Sequence, residues 1–264
     1  MLVGISTATY FTKLVTENSF SVICRNGGKI AEVFLTTYSE FEEDFGHLLN
    51  EVKGDTEIYS IHSLSTAFEP QLFNKAERTR KDAEKFFRKV LRVGQIIGAK
   101  CYTFHGSTRM KKTQVIDPVF FGKRMKELGD IALEYGITLC LETVHWCAFS
   151  TPDFFKVVKE YAPNIGVTLD VKQAWQSGYD WNEYLDVIGD RLKNVHLCDH
   201  DKDGNICMIG KGVFPFDKLI ARLKEDGYQG PIIIEQYAKD YDSYDQVGDS
   251  VQYLNNIIGG IYAH

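Results

Sequence analysis

"AERTRKDAEKFFRKVLRVGQIIGAKCYTFHG", Ala76 to Gly106, contains both halves of the unit from which this chain is built. In its first part Ala83, Phe86, Phe87, Val90, Leu91, Val93 and Gly94 recur at helical spacing, tracing one apolar face between charged ones. Gly98 marks the helix end. The second part, "KCYTFHG" (100–106), is short, β-rich and nearly continuous in apolar residues, the pattern of a strand covered on both faces.

The same alternation runs outward in both directions. Further strand-like runs are "LVGIST" (2–7), "AEVFL" (31–35), "IYSIHS" (58–63), "ITLCLET" (137–143), "IGVTLD" (165–170), "NVHLC" (194–198) and "PIIIEQY" (231–237), which makes eight in all. Gly136, Pro163, Gly227 and Gly230 punctuate the junctions, and in "TPDFF" Thr151 can cap a helix that opens on Pro152. Eight such units predict an α/β fold, a closed (β/α)8 TIM barrel filling residues 1–264 as a single domain. An open doubly wound sheet would need a glycine-rich phosphate turn after its first strand, and "STATYFTK" (6–13) is not one.

Composition narrows the function classes. No apolar run approaches the roughly 18 residues of a membrane span, and "MLVGISTATYF" lacks the parts of a signal peptide. The six cysteines, at 24, 101, 140, 147, 198 and 207, form no C-x-x-C pair, so reduced thiols and a cytoplasmic location are expected. A net charge of −6 argues against nucleic acid and other free polyanions as the default partner. The oligomeric state, a homo-oligomer included, stays open.

In barrels of this kind the chemistry sits at the carboxyl ends of the strands, where this chain places His62, His105, Glu142, Asp170, His196 and Glu235. A lone histidine there is more often a hydrogen-bonded core residue, but six convergent polar residues weaken that reading. Carboxylates beneath the apolar neighbours of "LCLETV", "GVTLDV" and "PIIIEQ" are costly to bury without a cation or donors. A divalent metal is the simplest explanation, and two Glu, one Asp and one His suit Mn²⁺, Mg²⁺, Co²⁺ or Zn²⁺ alike.

A second stretch competes for the metal. "DHDKDGNICMIG", Asp199 to Gly210, places aspartates at positions 1, 3 and 5 of a calcium-type loop and Gly204 at 6, but position 12 is Gly210 rather than glutamate. With no helix leading in, "DKDG" reads better as a tight turn, and His196 just before it as the ligand.

The motifs "IHS" (61–63), "IGAKCYTFHG" (97–106), "LCLET" (139–143), "TLDVKQAW" (168–175), "NVHLCD" (194–199), "IGKG" (209–212) and "IIIEQ" (232–236), in this order, resemble the xylose isomerase-like barrels, which include endonuclease IV, sugar epimerases and sugar phosphate isomerases. By that resemblance Glu142, Asp170, His196 and Glu235 match the ligands of the principal metal, and Glu142 and Glu235 the paired acid and base that move a proton beside a carbonyl. His62 and His105 match histidines that hold a second metal in the endonuclease branch and more often touch substrate in the sugar branch. The third endonuclease metal lacks its residues, since Gln173, Gly204 and Ile206 stand at those positions.

The resemblance thus implies a metal-dependent sugar or sugar phosphate isomerase or epimerase. Its rivals are a lyase or dehydratase on a keto compound, an endonuclease IV-like phosphoesterase, and a sugar-binding barrel without turnover. Dehydratase relatives place a histidine near the strand-five glutamate, as His145 is here. Trp146, Phe149 and Trp175 could wall a sugar face or pack between loops, Gln173 could bond a hydroxyl, and Lys211 could meet an anionic group or lie in solvent.

Overall fold

In the computed structural model, which describes residues 1–64, 67–109, 117–148 and 150–263, the strands are β1 Val3–Ser6, β2 Ile30–Leu35, β3 Glu57–Ser63, β4 Cys101–Phe104, β5 Thr138–Glu142, β6 Gly166–Asp170, β7 Leu192–Leu197, β8 Asp199–His200, β9 Ile206–Cys207 and β10 Ile232–Ile234. Parallel pairing in the order β1-β10-β7-β6-β5-β4-β3-β2 closes eight of them into a barrel, while β8 and β9 form a separate antiparallel hairpin. The expected (β/α)8 barrel is therefore the observed one. Around it lie α1 Ser19–Arg25, α2 Glu43–Val52, α3 Glu77–Ile96, α4 Pro118–Glu134, α5 Pro152–Tyr161, α6 Val171–Gln176, α7 Trp181–Ile188, α8 Phe216–Glu225 and α9 Asp245–Tyr262. Among the described residues no helix is long and apolar enough to cross a membrane.

Helix α3 buries Ala83, Phe87, Val90, Leu91, Val93 and Gly94, with Phe86 only partly covered at the margin of the stripe. Gly94 lets the helix approach the sheet, since a Cβ there would come within 2.7 Å of Ile61 on β3 and of Ile137 before β5. Asp117 caps α4, and Asp180 with Glu183 forms a capping box on α7. Thr151 occupies the N-cap position of α5, but its hydroxyl makes no capping bond; Pro152 and the backbone alone open that helix, contrary to the sequence expectation.

The outer strands are shorter than their apolar runs. Ser6 accepts a bond from the Ala8 amide and turns the chain into a 3-10 segment, and beyond Ile234 the chain leaves the sheet at Glu235. Both departures occur at the carboxyl end, where the site lies.

Candidate metal centre at the barrel mouth

Glu142 ends β5, Asp170 ends β6 and caps α6, His196 is the penultimate residue of β7, and Glu235 follows β10. One potential ligand atom from each lies within 4.8 Å of the others, and His62, His105 and Glu142 form a second such group. Glu142 belongs to both. Its Oε1 lies 3.0 Å from His196 Nδ1, and its Oε2 lies 2.8 Å from His105 Nε2. Glu235 Oε2 approaches the same His196 Nδ1 at 3.4 Å. His62 donates Nδ1–H to the Thr103 carbonyl at 2.8 Å, which leaves its Nε2 as the ring's lone-pair nitrogen.

The floor beneath His196 is a residue that reasoning from strand ends did not reach. Glu32 sits mid-strand in β2, fully buried, and accepts from Ser60 Oγ (2.7 Å), Thr103 Oγ (2.8 Å), Asn194 Nδ2 (3.0 Å) and His196 Nε2 (3.0 Å). A lone charge inside the apolar run "AEVFL" was its visible signal. Lys172, only 5% exposed, places Nζ 3.7 Å from Asp170 Oδ2 and 3.9 Å from Glu235 Oε2, with the Tyr237 ring 4.4 Å below. Glu69 lies under His105 and accepts from Ser63, Tyr102 and the amides of His105 and Gly106. Gln236 donates its amide to the Cys207 carbonyl on the hairpin at 2.8 Å, and its buried Oε1 has no hydrogen-bond partner within the protein. That carbonyl fixes which end of the amide faces it, so Oε1 is left as an acceptor in a residue lining the cavity.

The electrostatics reflect this crowding. Burial raises Asp170 to about 6 against the opposing pull of Lys172. Burial also pushes Glu235 upward, but His196 and Lys172 outweigh it and bring the carboxyl down to about 2. Desolvation disfavours a charged His196, yet Glu32 and Glu235 hold its pKa well above the ordinary value. Three carboxylates packed around one imidazole nitrogen at the mouth of a barrel form a donor set that fits a divalent cation: oxygen-rich, with one nitrogen and no thiolate. Glu32 supplies the carboxylate that commonly orients a metal-binding histidine from behind.

Above these residues opens a cavity of about 280 Å³, lined in part by His62, His105, Glu142, Asp170 and Glu235 together with Trp146, Lys172, Gln173 and Gln236. Trp146 stands 5.2 Å from the His105 ring. His145 is exposed, and its Nδ1 lies 2.5 Å from Gln173 Oε1. Trp175 does not wall the cavity; it stacks on His200 at 4.8 Å over the hairpin, where Gly204 gives it a flat seat. Lys211 is exposed and outside the cavity lining, and Phe149 lies outside the described residues.

The calcium-like stretch holds itself together. Buried Asp199 accepts from the amides of His200, Gly210, Gly212 and Phe214 at 2.8 to 3.0 Å, and Asp201 accepts from the amides of Asp203 and Asn205. Gly204, at φ +85°, turns β8 into β9, as the tight-turn reading expects. These aspartates are spent on backbone donors.

The sequence matches the family model described as xylose isomerase-like TIM barrel over residues 21–257. It is 31% identical over 131 residues to the uncharacterized protein MJ1311 of Methanocaldococcus jannaschii, covering 47% of this chain and 44% of that protein, so less than half of the relative's length is spanned. Among solved structures it resembles a D-psicose 3-epimerase in the presence of D-fructose (15% identity, 100% of both chains, TM-score 0.79). It also resembles the IolI protein with a bound zinc atom (16% identity, 100% of both chains, TM-score 0.79). At these identities the structural likeness concerns the fold.

Proposed function

The chain belongs to the xylose isomerase-like TIM barrel family, and on that premise we propose that it is a divalent-metal-dependent sugar epimerase or isomerase that moves a proton on a carbon next to a carbonyl. The observation that carries this reading is the convergence of Glu142 and Glu235 on His196 Nδ1, at 3.0 and 3.4 Å, inside a cavity with Asp170. A divalent cation held by Glu142, Asp170, His196 and Glu235 would polarise the sugar carbonyl and so acidify the neighbouring C–H.

The two glutamates are the proton-transfer pair, one taking the proton and the other returning it. His105, 2.8 Å from Glu142 Oε2, orients the first. Glu235, set just past the end of β10 and less buried than Glu142, is the second. Gln236 Oε1 accepts a sugar hydroxyl, and Trp146 covers the cavity beside His105. The structure of a D-psicose 3-epimerase on the same fold supports the class of reaction, and the zinc bound by IolI supports a bound metal.

Charge favours a neutral sugar over a phosphate. Each cationic side chain in the described lining already faces a carboxylate, Lys172 between Asp170 and Glu235 and His105 against Glu142, so a phosphate has no uncommitted cation to meet. The phosphoesterase alternative is disfavoured because Gln173 stands where a third metal needs histidine and the Asp199–Gly210 loop is closed on its own amides.

The test is loss of the C3 proton signal of D-psicose, D-tagatose or D-fructose in D₂O, with metal content measured alongside. Glu142→Gln and Glu235→Gln should each slow exchange by about 100-fold or more. Full exchange with full metal in either variant would defeat the mechanism.

A further inference from the structure

We propose that a second cleft at the same end of the barrel is a subsite for an uncharged glycosyl unit joined to the reacting sugar, so that the substrate class is a ketose glycoside. This rests on the epimerase reading of the first cavity. The cleft measures about 600 Å³, and Phe11 and Phe34 line both spaces, their rings meeting edge-on at 5.5 Å. The first cavity alone falls at the lower edge of the roughly 300–1,000 Å³ usual for small-molecule sites, and the two together lie well inside it.

The walls of the cleft begin at the carboxyl ends of β1 and β2, the ligand-binding side of such barrels, with Thr7 at one end and Thr36, Thr37 and Ser39 at the other. Phe45 and Leu48 of α2 close the far side. Hydroxyls thus alternate with apolar surface, including Phe11 and Val15, which are 41% and 54% exposed. A sugar ring presents the same mixture, C–H faces for the aromatic wall and hydroxyls for Thr and Ser.

The described lining carries one ammonium, Lys13, and two carboxylates, Glu17 and Glu40. Lys13 donates to the Tyr241 carbonyl at 2.8 Å and lies 3.8 Å over that ring, while Glu40 accepts from Thr16, from the Thr36 hydroxyl and from the Thr36 amide. Among the described lining residues two carboxylates thus stand against one ammonium that is already drawn to Tyr241, so a phosphate or carboxylate would enter a cleft of net negative charge.

The experiment uses three ketose disaccharides, lactulose, maltulose and isomaltulose, against free D-fructose and D-psicose. On Zn²⁺-loaded protein, which is diamagnetic, saturation-transfer NMR reads binding and C3 proton exchange in D₂O reads turnover. Saturation of the non-reducing ring of at least one disaccharide is expected. Thr37→Trp, which fills the cleft at an exposed position, should abolish that saturation and raise the disaccharide KM about tenfold or more, leaving free-ketose exchange unchanged. Ser39→Trp serves if Thr37→Trp does not fold, as judged by its melting curve. Exchange of free ketoses without saturation of any second ring overturns the subsite and spares the epimerase reading. Saturation of the second ring with no exchange of any sugar keeps the subsite as a glycoside site and defeats the epimerase. An equal effect of the Trp variant on both sugar classes also overturns the subsite.

Discussion

Glu32 Oε2 lies 3.0 Å from His196 Nε2, on the opposite side of the ring from the nitrogen that faces Glu142 and Glu235. An ionised carboxylate can only accept, so this contact holds the proton on Nε2, and the proton that a cation would displace is the one on Nδ1, facing Glu142 and Glu235. Glu32→Gln, which keeps the shape but weakens the acceptor, should lower divalent-metal affinity by about 10- to 100-fold. Titration calorimetry with Mn²⁺ or Co²⁺ checks this, and an unchanged affinity would sever the link between the two residues.

Removing the metal should cost stability, because Glu142, Asp170 and Glu235 are then left crowded without their cation. A ligand at 100 times its Kd adds about 2.7 kcal/mol to the folded state. Melting curves with EDTA and after readdition of Mn²⁺, Co²⁺, Zn²⁺ or Mg²⁺ should therefore separate by several degrees. Identical curves would mean that the cluster holds no ion.

Asp199 offers the opposite prediction. Its carboxylate joins the amides of His200, Gly210, Gly212 and Phe214 from within the fold, and a Cβ on Gly212 would come within 2.3 Å of its Oδ1. Asp199→Ala leaves those donors unmet and should cost about 3 kcal/mol or more in denaturant unfolding. Millimolar Ca²⁺ should leave the stability of the parent protein unchanged; a calcium-dependent rise would reinstate the loop as an ion site.

Gln236→Leu removes an acceptor from the cavity, together with the donor to the Cys207 carbonyl, while nearly keeping its volume. KM for a turned-over ketose should rise about tenfold, with metal content close to that of the parent and a melting temperature lowered only by the lost bond to Cys207. A fall in kcat alone would place Gln236 elsewhere in the reaction.

The legibility of this chain followed the direction in which side chains point. Strand ends such as those of "LCLET" and "GVTLD" expose their last residue to one mouth, and the structure gathers His62, His105, Glu142, Asp170, His196 and Glu235 there. Glu32 escaped because it lies in the middle of β2, where inward and outward positions alternate and sequence alone does not say which face is the barrel axis. Lys172 and Gln236 stood beside noticed residues, yet their roles depend on contacts with Glu235 and Cys207 that are distant in sequence. For Trp175 the sequence leaves a cavity wall and packing between loops both open, and its seat on Gly204 and His200 is made by a hairpin whose position no local pattern reveals.

The donors that surround Glu32 come from around the barrel: Ser6 from β1, Ser60 from β3, Thr103 from β4, and Asn194 with His196 from β7. A carboxylate so placed works as a keystone. Neither half of the chain can assemble it alone, since residues up to Thr103 lack the imidazole and those after it lack the acid. The orientation of His196 therefore depends on both halves of the closed barrel, and a half-barrel fragment that begins after Thr103 would carry all four proposed ligands yet lack the anchor that aims the imidazole among them.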